Sequence, residues 1–219
     1  MKTVFQALAA GAEAYADLDV FRAVRDDRIP VDAFPSFFVE QAMAARWFQD
    51  FIWAGTAIEA GPLAAFAAAH RRRDSGHYRW SERDLARFGL PALDLDAAFA
   101  LDRLDTRIQL ARILALFHEA TTEMRLVVLL ALERAGDITL STLNGYVHRH
   151  GLAERTHYLG DAHVAVEEDQ AARIAEALGP VLASSDPQLL ETVRITFDAL
   201  SRMFADGGSR HWSRWMEAA

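Results

Sequence analysis

His70-Arg-Arg-Arg-Asp74-Ser-Gly-His77 is the stretch on which the reading of this sequence turns. On a helix, positions i, i+4 and i+7 fall on one stripe, so His70, Asp74 and His77 project together while Arg71 to Arg73 splay away as a solvated face. Leu63 and Phe66 before the stretch, and Trp80 and Leu85 after it, continue that stripe as an apolar one. Two imidazoles and a carboxylate therefore interrupt a face that reads as buried, where an unpartnered polar group is costly.

Working outward, the spacing predicts one helix from Pro62 to about Phe88, stopped at Gly89-Leu90-Pro91. Upstream, the first 28 residues read as one or two short helices with Phe5, Leu8, Ala12 and Tyr15 on one stripe. Asp32 caps, and Pro35 opens, a longer helix to about Ile58 that carries Phe37, Phe38, Trp47, Phe48, Phe51 and Trp53, and Gly61-Pro62 punctuates it. Downstream come a short helix over 94–104, a long or once-broken helix over 106–135 ending at Gly136, and a small helix over 137–150 closed by Gly151. A helix over 154–178 ends at Gly179-Pro180, and Ser185 or Asp186 caps a last one reaching Trp212 or Trp215. No strand pattern, linker or low-complexity segment interrupts this series. The expected architecture is all-α, a single-domain bundle of about seven to nine helices over residues 1–219.

Composition agrees with that architecture. The chain is 52% hydrophobic with only 12 glycines and 6 prolines, which suits a compact helical domain and not a disordered one. Its net charge of −8 and the lack of a basic stripe beyond Arg71 to Arg73 speak against nucleic acid as a partner. The absence of cysteine removes disulfides, thiolate metal sites and cysteine nucleophiles, and fits a reducing cytoplasm. Signal-peptide and membrane-span patterns are also missing, so a cytoplasmic protein with no membrane partner is expected.

Three further helices place polar groups where an apolar stripe should run. Glu40 lies between Phe37 and the pair Ala44 and Trp47. Glu133 follows Leu126-Val-Val-Leu-Leu-Ala-Leu132, a run apolar all round the helix, where a lone carboxylate needs a cation or proton partner. Arg125 and Arg134 face away from it. In His163-Val-Ala-Val-Glu167-Glu-Asp-Gln170 the spacing of 70, 74 and 77 recurs. In chain order the set is Glu40, Asp74-x-x-His77, Glu133 and Glu167-x-x-Gln170, which is the logic of a di-iron carboxylate bundle. His70 and His163 add a further ligand or orient the carboxylates.

At these residues the sequence resembles the haem-oxygenase-like di-iron oxidases, the non-haem-iron branch of the haem oxygenase and thiaminase II fold. The resemblance is carried by His70-x-x-x-Asp74-x-Gly76-His77, then Asp84-Leu85-x-x-Phe88-Gly89-Leu90, then Ala131-Leu132-Glu133, then Tyr158-Leu-x-x-x-His163-x-x-x-Glu167-x-x-Gln170. It implies iron ligands at Glu40, Asp74, His77, Glu133, His163 and Glu167, with His70 and Gln170 as additional ligands or supporting partners. It implies a di-iron cofactor and no haem, and O2-dependent oxidation of a small amino acid, amine or fatty acid. Gln170 stands where the family pattern has His, Asp74 where it has Glu, and Glu167 where it has Asp, so one iron site is expected to be weak. Arg73, Arg125 and Tyr158 are the candidate substrate-binding residues, and a homodimer is an open expectation. Two other readings stay beside this one: a cofactor-independent redox enzyme of the same fold, akin to the quinone-forming members, and a non-catalytic binding protein with a degenerate metal site. A ferritin-like bundle shares the ligand order, but the paired His70 and His163 speak against it.

Overall fold

A computed structural model describes residues 2–48, 52, 62–91 and 104–207 of the chain. Ten α-helices run through them: α1 Val4–Ala16, α2 Asp19–Arg25, α3 Phe34–Arg46, α4 Pro62–Asp74, α5 Tyr78–Arg87, α6 Leu104–Glu119, α7 Thr122–Arg149, α8 Asp161–Ala177, α9 Gly179–Leu182 and α10 Pro187–Arg202. A π-helical turn, Met203–Gly207, continues α10, and no strand occurs among the described residues. The protein is all-α, as its periodicity requires. No helix among the described residues is long and apolar enough to cross a membrane.

The long helix α7 is the axis of the packing. Leu126, Val127, Val128, Leu129, Leu130 and Ala131 are all buried, because α1, α2, α4, α6, α8 and α10 pack around it. A helix covered on every side has to be apolar on every side, which is what the run before Glu133 encodes. Side-chain caps mark three of the starts. Thr3 and Gln6 exchange hydrogen bonds in a capping box before α1, Thr121 Oγ1 accepts from the Met124 N–H before α7, and Asp186 accepts from the Gln188 N–H before α10.

Several boundaries differ from expectation. The single helix expected over 62–88 is two, α4 and α5, parted at Gly76, whose φ of 92° lies in the left-handed region that favours glycine. His70 and His77 therefore belong to different helical segments and do not share one continuous stripe. The expected stop at Gly136 is absent: the break falls at Ala120-Thr121, and α7 runs through Gly136 to Arg149, merging the small helix expected over 137–150 into it. Burial around a 28-residue helix outweighs the roughly 1 kcal/mol that a helical glycine costs. The helix expected from 154 begins at Asp161, with a 3-10 turn at Ala153–Arg155 before it; it stops at Ala177, ahead of Gly179-Pro180 as expected, and that pair then opens the short α9. Asp32 makes no capping bond to α3, although Pro35 does sit in its first turn. The helix expected over 94–104, the segment around Phe51 and Trp53, and the end with Trp212 and Trp215 lie outside the described residues. So do the side chains of Phe37, Leu63 and Phe66.

On α1 the buried stripe is Val4, Leu8 and Tyr15, with Gly11 completing it, and Phe5 is exposed. Gly11 lies against α10. A Cβ built there would come within 2.4 Å of Cδ2 of the buried Phe197. Gly11→Ala is therefore expected to destabilise the fold by about 1–3 kcal/mol, because overpacking outweighs the gain in helix propensity. Chemical unfolding measures this directly; a stabilised variant would contradict the packing described here.

Candidate functional site

The buried run of α7 ends at Glu133, and its partner comes from α4. His70 Nε2 and Glu133 Oε1 lie 2.7 Å apart, with His70 3% and Glu133 9% exposed. With the carboxylate ionised, the imidazole N–H donates to it, which gives Glu133 the proton partner its surroundings demand. Arg125 and Arg134, the cations nearest in sequence, play no part in this contact.

A second group of rings forms where α5 meets the turn before α8. Asp84, on α5, is fully buried and accepts hydrogen bonds from three consecutive backbone N–H groups, those of His157 at 2.6 Å, Tyr158 at 2.8 Å and Leu159 at 3.2 Å. Burial pushes its carboxyl above the ordinary carboxylate range, against the pull of the three N–H donors and of Arg87. The turn so held aims the Tyr158 carbonyl at His163, whose Nδ1–H donates to it over 2.6 Å. That bond fixes the proton on Nδ1 and, in the neutral ring, the lone pair on Nε2, the arrangement by which metal-ligating histidines are commonly oriented. His77 stacks on Trp80 with centroids 4.4 Å apart and meets His163 edge to face at 5.1 Å. The Tyr158 ring lies 4.4 Å from His163 on its other side.

A cavity of about 80 Å³ touches one residue of each group. Glu133 and Tyr158 line it, together with Gln41 and Phe48 from the α3 side, Tyr15 from α1, Gly136, Thr139 and Leu140 from α7, and Met203 and Phe204 beyond α10. Thr139 Oγ1 donates to the Ala135 carbonyl at 2.7 Å, so the Tyr15 hydroxyl, 3.0 Å away, is the donor to Thr139 and keeps its own lone pairs. Burial holds the Tyr15 hydroxyl far above its ordinary pKa, so this ring acts in the cavity as a neutral hydrogen-bonding group and not as a base.

The residues named from the sequence are distributed as follows. His70 meets Glu133; His77 meets His163; Tyr158 joins the second group to the cavity. Glu40, Asp74, Glu167 and Gln170 belong to α3, α4 and α8, and their side chains lie outside the described residues. Among the described residues no three His, Asp or Glu side chains are grouped to hold a metal ion. Arg73 is exposed. Arg125 donates to the Phe117 and His118 carbonyls at the end of α6 and is not among the residues lining the cavity. Asp84, Tyr15, Thr139 and Gly136 are not among the site residues expected from the sequence. For Asp84 a signal existed: His77, Ser81, Asp84 and Phe88 recur at helical spacing, and Ser81 and Asp84 are both buried.

No protein-family model matches this chain, and no curated protein matches it.

Proposed function

We propose that this protein is a non-haem iron-dependent oxidase or oxygenase that acts with O2 on a small metabolite held in the cavity beside Glu133. The observation that carries the reading is the His70–Glu133 pair, a buried imidazole held 2.7 Å from a carboxylate that lines the cavity. Nitrogen and oxygen donors of this kind suit Fe(II). Glu40, Asp74, His77, Glu133, His163 and Glu167 would hold the metal, two ions in full occupancy, with His70 and Gln170 beside them. Iron there supplies the one-electron and O2 chemistry that no side chain has.

The chain's own groups do the rest. Asp84 fixes the turn that orients His163 through the Tyr158 carbonyl. His70 holds the Glu133 carboxylate in one orientation by hydrogen bonding. Phe48, Leu140, Met203 and Phe204 exclude water from the cavity, while Tyr15 and Gln41 orient a polar substrate group. Substrates are amines, amino acids or fatty acids in this reading. The test is O2 uptake by Fe(II)-loaded protein across a panel of these. Uptake matched by substrate loss, and abolished by chelation, is expected.

A second reading has one observation in its favour: Glu133, which lines the cavity, is hydrogen-bonded to His70, an imidazole–carboxylate pair of the kind that general acid–base chemistry uses. In that case the protein is a cofactor-independent redox enzyme, and the same panel separates the two. Activity of equal size in metal-stripped protein contradicts the iron reading and supports this one.

A further inference from the structure

Gly136 stands in the interior of α7 at a point where nothing among the described residues requires glycine. Among the described residues a Cβ built on it meets no heavy atom within 4 Å, and the residue lines the cavity. Glycine inside a helix is destabilising relative to alanine, and here an alanine would fit. What the missing methyl preserves is cavity space. A methyl group is close in size to a water molecule, so one Cβ would take a substantial part of the room. By proportion to benzene in an engineered apolar cavity of about 150 Å³, a space of about 80 Å³ takes about three or four heavy atoms.

The lining also fixes the chemistry of the occupant. Among the described residues it contains one carboxylate, Glu133, and no Lys, Arg or His side chain. The Tyr15 oxygen, whose proton goes to Thr139, is a further acceptor in the same wall, and the Gln41 amide offers an acceptor oxygen beside its N–H₂ donors. A ligand carboxylate would meet negative charge and lone pairs in a region of low dielectric, whereas an ammonium or amine N–H would meet acceptors. Apolar groups, among them Phe48, Leu140, Met203 and Phe204, cover the remainder and suit a short alkyl body.

We propose that the cavity is a binding site for a small primary amine, that the amino end points into the wall formed by Tyr15, Gln41 and Glu133, and that Gly136 sets the length of alkyl group admitted. This rests on the cavity being the substrate site of the function proposed above, and it narrows that substrate from three classes to one. Fatty acids and other free carboxylates are excluded from the buried end.

The test uses the full chain, stripped of metal with a chelator, as wild type and as Gly136→Ala. Ethyl-, propyl-, butyl- and hexylammonium are titrated by calorimetry beside the carboxylates of equal length. Wild type is expected to bind propylammonium at least tenfold more tightly than propionate. In Gly136→Ala the affinity for propyl- and butylammonium falls about tenfold and that for ethylammonium falls less, while the melting temperature rises by about 2–4 °C. The rise in melting temperature excludes misfolding as the cause of weaker binding. Equal affinity for amines and carboxylates, or a Gly136→Ala profile superimposable on wild type, overturns the proposal. Iron loading is measured on the same preparations. Amine selectivity without iron binding upholds the site and sinks the iron reading; iron binding without amine selectivity does the reverse.

Discussion

Asp84→Ala is expected to cost about 4 kcal/mol of folding stability, which for a chain of this size lowers the melting temperature by roughly 8–16 °C. The carboxylate is fully buried and is shared by three backbone N–H groups, two of them buried. Removing it leaves those donors without an acceptor, at about 1–3 kcal/mol each. Some of the loss is recovered, because the His157 N–H is only partly buried and water can reach it. The effect extends beyond stability. The turn over 157–159 carries Tyr158, and its carbonyl holds His163 Nδ1, so releasing the turn releases the ring that meets His77. Asp84→Asn keeps one acceptor oxygen but turns an N–H₂ group toward N–H donors, and should fall between wild type and alanine. Thermal unfolding of the three proteins gives the answer; a melting temperature for Asp84→Ala within about 2 °C of wild type would show that the turn holds itself.

Glu133→Ala is expected to lower Fe(II) affinity by about 100-fold or more. Supporting partners of metal ligands alone change affinity by about 10–100-fold, and Glu133 is proposed as a ligand in its own right. Truncation also leaves His70 in a buried site without its carboxylate, so stability is measured in parallel. Glu133→Gln provides the control. It keeps an oxygen that can accept from His70 Nε2–H but lacks the charge that draws a cation, so it should fold as well as wild type and still bind iron weakly. Competition against a fluorescent iron chelator reads the affinity. Unchanged affinity in both folded variants would leave His70 and Glu133 as a structural pair only.

The contrast between Gly11 and Gly136 shows what the sequence could and could not disclose. Both are glycines inside helical patterns and look alike as letters. One lies against Phe197 and tolerates no methyl; the other lines the cavity, where a methyl would meet no atom of the described residues within 4 Å. The difference is created by helices distant in the chain, α10 in the first case and α1 and α3 in the second, so no local rule distinguishes them. The all-α architecture was legible because the 3.6-residue period is strong along most of the chain, and Glu133 was legible because a carboxylate after seven apolar residues has few explanations. Its partner was less so. His70 was read with Asp74 and His77 on one continuous helix, and the left-handed turn at Gly76 parts them. Asp84 was legible only as part of the resemblance, because the partners of its oxygens, the backbone N–H groups of 157–159, are brought to it by a turn far along the chain, although Ser81, Asp84 and Leu85 are buried together.

The direct measurement is metal stoichiometry after anaerobic Fe(II) loading and desalting, made on wild type and on the double variant Glu133→Ala/His163→Ala. The proposed function predicts about two irons per wild-type chain, or about one if the site beside Gln170 is weak, and little in the variant. Wild-type iron no higher than that of the folded variant would contradict it, and the pair His70 and Glu133 would then stand as the centre of a metal-free site.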